Sequence, residues 1–304
     1  MTGPLVLTGA SGFVGRHVLR LLAQRTHRDV RCLTRSPDAL SALVTPLSSW
    51  RYVASDLRAP DSYAEALAGA QSVLHLAATT GKAPATRYFE MNEDATRALL
   101  ARCVRAGVPS MVYVSSIAAR FPDQRHYPYG RSKAAAEAAV RASGVDYAII
   151  RPTMVLGPQS PILDSLAKLA AGPVAVLFGG GQGRVQPIHV EDLARGILEV
   201  VERPPEGGPI EIGGPEVITI EELLRRIRLA LRGKRGPLIR IPLQPLESIL
   251  AALEGPLLPL LPFTAGQLTT FSTEGIAIPN SLTARMRPTM LGLDAMLQDL
   301  TPRE

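Results

Sequence analysis

Residues 127–133 read "YPYGRSK" and carry a phenol and an ammonium four positions apart, Tyr129 and Lys133. On a helix, residues at that spacing share a face. A free phenol, with a pKa near ~10, is too weak a base at neutral pH, and a cation one turn away favours its ionised form. Such a pair suits the movement of a proton on an oxygen whose carbon gains or loses a hydride. Tyr127 lacks a lysine at the same offset. Tyr-x-x-x-Lys also arises by chance, and a helix-start tyrosine on the surface is the plain alternative. The frame built by the rest of the chain decides between them.

A second chemical feature stands at the N-terminus. "TGASGFVG" (8–15) places Gly9, Gly12 and Gly15 between an apolar run and a helical pattern, with Ser11, Phe13 and Val14 among them. Gly9 permits a tight turn, Gly12 lets a pyrophosphate approach the backbone, and Gly15 lets helix and strand pack closely. The helix start then offers unpaired N–H groups to the phosphates. At the end of the next strand, ~20 residues on, an acidic residue would bond a ribose 2′-hydroxyl. This chain has Arg35 there, inside "LTRS". A guanidinium suits a 2′-phosphate, so NADP(H) is the expected cofactor, with NAD(H) left open and Arg16 as a second contact.

The elements that must position these groups alternate through the first half. Strands are expected at 4–9, 29–35, 50–55, 72–78, 110–116 and 145–152, and helices at 13–25, 62–69, 88–107 and 129–144. Near-continuous apolar strands between helices predict a parallel sheet covered on both faces. The fold class expected is α/β, a doubly wound parallel sheet (Rossmann) with a smaller C-terminal substrate-binding domain. Residues 1–157 form the NADP-binding part, with 183–203 returning to it and the strand-like 183–190 rejoining the main sheet; 158–304 is mainly substrate-binding. Helices are expected at 162–171, 190–203 and 219–232, the last capped by Thr219 with Glu222 at the capping-box position.

Composition limits the classes. With 46% hydrophobic and 20% charged residues, 304 residues are expected to pack a substantial core. The net charge is +6, but the basic residues are scattered or lie in short runs (225–228 and 232–235), so no nucleic-acid partner is expected. Cys32 and Cys103 read as reduced core thiols of a cytoplasmic protein. The N-terminus reads directly into the glycine motif and not as a signal peptide. The oily stretch 246–263 holds two Glu and three Pro, too interrupted for a spanning helix. A lid, an interface or a peripheral membrane contact stay open for it. The five histidines are widely spaced; His75 and His189 read as core residues, and no metal constellation is expected.

Beyond the glycine turn, "SDL" (55–57), "LHLAA" (74–78), Asn92 in "MNEDATRALL", "VYVSSIA" (112–118), "YGRSK" (129–133), "RPTMVLGP" (151–158) and "IHVEDLARGI" (188–197) follow in order. Over roughly residues 1 to 200 the chain resembles the extended or atypical branch of the short-chain dehydrogenase/reductase superfamily. That resemblance implies that Asp56 and Leu57 flank the adenine, and that Ala77, Ala78 and Thr79 line the nicotinamide-side ribose. It also implies that Asn92 stabilises the active-site helix. Ser116 would bond the reacting oxygen, with Ser115 its rival, Tyr129 would be the acid–base, and Lys133 its partner. Pro152 and Thr153 would close over the carboxamide. A homodimer through paired helices is common in the superfamily.

"RPTMVLGP" departs from the sugar-nucleotide pattern, with Met154 and Leu156 at the polar and aromatic positions, and the second half is rich in Leu and Pro. The expectation is an NADP(H)-dependent oxidoreductase acting on a carbonyl or secondary alcohol of an apolar small molecule. The "VQPIHVEDLARGI" and "LLPLLPFTAGQL" segments look most like bacterial relatives of the complex I nucleotide-binding accessory subunit. A nucleotide-binding accessory protein with structural NADP(H) is therefore the alternative. A sugar-nucleotide epimerase or dehydratase is the third.

Overall fold

The computed structural model describes residues 3–25, 29–204, 208–244, 249–250, 254 and 264–300. In chain order the elements are β1 (Leu5–Thr8), α1 (Phe13–Arg25), β2 (Val30–Thr34), α2 (Pro37–Leu43), β3 (Trp50–Ala54), β4 (Ser72–His75), α3 (Ala85–Tyr88), α4 (Ala95–Arg105), β5 (Ser110–Val114), α5 (Pro128–Arg141) and β6 (Asp146–Pro152). There follow β7 (Val155–Leu156), α6 (Pro161–Ala171), β8 (Ala175–Phe178), β9 (Arg184–Val185), β10 (Ile188–His189), α7 (Val190–Glu202), β11 (Ile210–Ile212), β12 (Ile218–Thr219), α8 (Ile220–Arg232) and β13 (Leu238–Ile241).

Seven parallel strands form one sheet in the order β11-β6-β5-β4-β1-β2-β3. Side chains alternate across it, as a strand's period of two requires. Leu5 and Leu7 enter the core beneath α1, α2 and α7, while Val6 enters the opposite core beneath α4 and α5. Both faces are thus covered, which is why these strands read as nearly unbroken apolar runs. A third core gathers α6, α8, β8 and the helix Ala265–Ser272. Chain order reverses between β1 and β4, and a crevice opens beyond the carboxyl ends of the strands there.

Several elements differ from the sequence expectations. The 62–69 segment is two short 3-10 turns, Pro60–Tyr63 and Glu65–Leu67, entered at Pro60 and closed by Gly69 (φ +68°). The long helix begins at Ala85, and a π-helical turn, Phe89–Asp94, joins α3 to α4. Helix α2, entered through the Ser36 side chain accepting from the Ala39 amide, was not expected. The strands within 183–190 do not rejoin the main sheet: β9 pairs with β12 and β10 with β7. What returns is α7, packed on α1, and then β11, the unexpected seventh strand beside β6. Thr219 caps α8 by accepting from the Glu222 amide, and Gly233 (φ +67°) closes it.

Cys32 and Cys103 are buried free thiols, each pushed up to about 12 by burial. Among the described residues, no helix is long and apolar enough to cross a membrane, and no His/Cys/Asp/Glu group could hold a metal ion. Most of the oily 246–263 stretch lies outside the described residues.

Candidate active site

The glycine turn is fixed by close approach. A Cβ at Gly9 (φ +74°) would stand 2.5 Å from the Ala77 amide nitrogen, and one at Gly15 would stand 2.0 Å from the Gly9 carbonyl oxygen. Gly12 is exposed, and the nearest atom to a Cβ there is the Gly9 oxygen at 3.2 Å, so its outer face is open to the crevice. The first turn of α1 carries no acidic side chain, and a helix's first N–H groups have no partner within the helix. Open glycine backbone and free donors together fit the pyrophosphate of a dinucleotide.

That turn forms one wall of a cleft of about 630 Å³. Gly9, Gly12, Phe13, Val14 and Gly15 line it from one side, and Ala78, Ser116, Tyr129, Lys133, Pro152 and Thr153 from others. Beyond Tyr129 the walls become mainly apolar, with Met154, Ile162, Leu166, Leu169 and Phe271. Ser11 and Arg35 are exposed, Arg35 immediately after β2. Asp56 and Leu57 follow β3; Leu57 is buried, and a hydrogen bond from Arg58 holds the Asp56 carboxyl down at about 2. Ala77 gives its amide to the Thr8 hydroxyl at 3.2 Å. Thr79 is clasped by Asn92, which accepts from the Thr79 amide at 2.7 Å and donates to the Thr79 carbonyl at 3.1 Å. The same Asn92 amide donates to Ser132 Oγ at 2.9 Å, joining this loop to α5.

Pro128 enters α5 at its first position, where its missing N–H does no harm. Tyr129 then faces the cleft in an aromatic group, edge-on to Tyr88 at 6.0 Å and tilted against Tyr127 at 5.8 Å. Burial raises the Tyr129 phenol above its ordinary value, and a hydrogen bond with Ser116 pulls the other way. Ser115 and Ser116 part company here. Both line the cleft, but Ser115 is buried and donates to Glu137 at 2.7 Å, whereas Ser116 caps the 3-10 turn Ile117–Arg120 and is the one that hydrogen-bonds Tyr129.

Lys133 is 1% exposed. Its ammonium donates to the Val114 carbonyl at 2.8 Å and sits 4.4 Å above the Tyr113 ring. Burial brings it down to about 7, opposed by the charge of Glu137. Glu137, which sequence reasoning passed over, is itself buried and paired with Arg151 at 2.7 Å and Arg141 at 2.9 Å. Its signal was a lone acid four residues after Lys133 in an alanine-rich helix. No comparable signal marks Phe271 or Leu166, which reach the cleft only through tertiary packing.

The arrangement can hold a dinucleotide along the turn and present a hydroxyl pair, Ser116 and Tyr129, to a second molecule in the apolar half. Residues 5–213 match the NAD dependent epimerase/dehydratase family. A ceramide reductase of Caulobacter vibrioides is 32% identical over 247 residues, covering 79% of this chain and 74% of that protein. The mitochondrial NADH dehydrogenase (ubiquinone) 1 alpha subcomplex subunit 9 of Dictyostelium discoideum is 28% identical over 72% of this chain, which spans only 61% of that protein. A dTDP-glucose 4,6-dehydratase of Streptomyces venezuelae, solved with NAD bound, superposes with a TM-score of 0.67 at 27% identity, covering 79% of this chain and 84% of that one.

Proposed function

The chain belongs to the NAD dependent epimerase/dehydratase family, and from that membership we propose an NADP(H)-dependent oxidoreductase acting on a carbonyl or secondary alcohol of an apolar small molecule. One observation carries the reading: Tyr129, Ser116 and Lys133 share the wall of the cleft that the glycine turn lines. When bound, the dinucleotide supplies or accepts the hydride. Ser116 holds the substrate oxygen, and the Tyr129 hydroxyl passes a proton to or from it. Because burial keeps that phenol protonated at neutral pH, it is a ready donor to the oxygen of a carbonyl undergoing reduction. Lys133 holds the ribose, and the phosphates of the cofactor favour its charged form. Phe13, Val14 and the glycines hold the pyrophosphate; Asp56 and Leu57 flank the adenine; Ala77, Ala78 and Thr79 line the ribose, and Pro152 and Thr153 cover the carboxamide.

Preference for NADP(H) rests on Arg35, exposed where a 2′-phosphate would lie. Apolar walls beyond Tyr129 support an oily substrate, and the relative from Caulobacter is named as a reductase of a lipid. The test is consumption of NADPH and NADH over a panel of ketones and aldehydes. Turnover faster with NADPH is expected, abolished in Tyr129→Phe with cofactor binding retained, and Arg35→Asp should move the preference toward NADH. Tight binding with no turnover on any carbonyl would instead favour a nucleotide-binding accessory role, the reading that the likeness to the Dictyostelium subunit supports.

A further inference from the structure

His75 lies under the site at the end of β4, fully buried, and the proton-transfer scheme leaves it unused. Its Nδ1 is 2.6 Å from Thr8 Oγ1 and its Nε2 is 2.8 Å from Thr96 Oγ1. The direction of each bond follows from its neighbours. Thr96 Oγ1 also lies 2.7 Å from the Asn92 carbonyl, which can only accept, so the one hydroxyl proton of Thr96 goes there. Nε2 must then carry the proton that Thr96 accepts. In the neutral ring Nδ1 is left as an acceptor for the Thr8 hydroxyl, while Thr8 Oγ1 accepts from the Ala77 amide. Burial and the Lys133 charge, which bring this imidazole down to about 3, keep it neutral. The Tyr113 ring, 5.5 Å away, lies beside His75 and under the lysine.

We infer that His75 is a positioning residue, locked in its Nε2–H tautomer at the centre of a buried chain joining the glycine turn to the helix that bears Tyr129. The chain runs from the Ala77 amide through Thr8, His75 and Thr96 to the Asn92 carbonyl. The Asn92 side chain extends it to Thr79 and to Ser132, whose hydroxyl donates to the Tyr129 carbonyl at 2.8 Å. Thr8 adjoins Gly9, so the glycine turn, the Ala77–Thr79 loop and the start of α5 are set against each other through this chain. This assignment rests on the oxidoreductase reading only for its purpose; its tests need no turnover.

In the whole protein labelled with ¹⁵N at histidine, His75 should show the Nε2–H tautomer without titrating from about pH 5.5 to 8.5. A ring protonated at Nδ1, or one that titrates in that range, overturns the inference. Thr96→Val removes the acceptor and leaves a buried donor unsatisfied, whereas Thr96→Ser keeps it. The loop at Ala77–Thr79 then loses its anchor, and binding must order it. NADPH and NADH, titrated separately by fluorescence, should bind Thr96→Val about tenfold more weakly and Thr96→Ser within about twofold of the parent. A folded Thr96→Val that binds both cofactors as the parent does also sinks the proposal, without touching the assignment of Tyr129.

Discussion

Lys133 keeps an amine where its charge is disfavoured. Its folded value of about 7 lies below the ordinary 10.5, so between those two pH values the unfolded chain holds a proton that the folded chain releases. Stability from this group therefore rises with pH through that window, and below pH 7, where both states are protonated, the full penalty remains. Urea unfolding of the protein without cofactor should show a gain of up to about 1.4 kcal/mol per pH unit above neutrality, absent in Lys133→Met. The neighbouring serines show what one residue of register decides. Both are readable as candidates and both line the cleft, but the Ser115 amide pairs with Ile150 and its side chain is taken up by Glu137, which leaves the Ser116 hydroxyl to Tyr129. Tyr129 could be singled out by the lysine offset, but its partners Tyr88 and Tyr127 could not, because ring contacts across elements leave no spacing in the sequence.

At the level of elements, the glycine turn makes the sharpest demand. Gly15→Ala would force a methyl to 2.0 Å from the Gly9 oxygen, so α1 must move off β1. Overpacking of this kind costs roughly 1–3 kcal/mol, and dinucleotide affinity should fall at least about tenfold, read by denaturant unfolding and NADPH titration. The strands of the first half were legible because burial on both faces leaves them almost wholly apolar, as with "LVLT" of β1. Strand β11 was not, since it is three residues long and carries Glu211 in its middle. The π turn at Phe89–Asp94 was hidden as well. A single added residue in a helical turn does not disturb an apolar pattern enough to be seen, yet that turn carries the Asn92 that grips Thr79. Helix α2 is seven residues, too brief for its period to declare itself.

Across the whole molecule, one ion network ties distant chain segments together. Glu137 on α5 pairs with Arg151 on β6, and Arg151 and Arg120 meet Glu211 on β11 at 3.4 and 2.7 Å. Glu211 also accepts from the Ile278 amide at 2.8 Å, while Arg120 donates to the Ile276 carbonyl at 2.6 Å. The helix bearing Tyr129 is thus coupled to the chain just after the helix Ala265–Ser272, whose Phe271 lines the apolar half of the cleft. Glu211→Ala leaves two arginines without their shared partner and should destabilise by about 3 kcal/mol. Denaturant unfolding would measure the loss, and limited proteolysis would show new cutting near residues 276–280 in the variant. The same carboxylate bears on how the protein behaves in company. A sheet's outermost strand invites a foreign chain to hydrogen-bond along it. Here that border is three residues long, turns a charge inward and is stapled by Asn280 to its own tail, so it makes a poor template for aggregation.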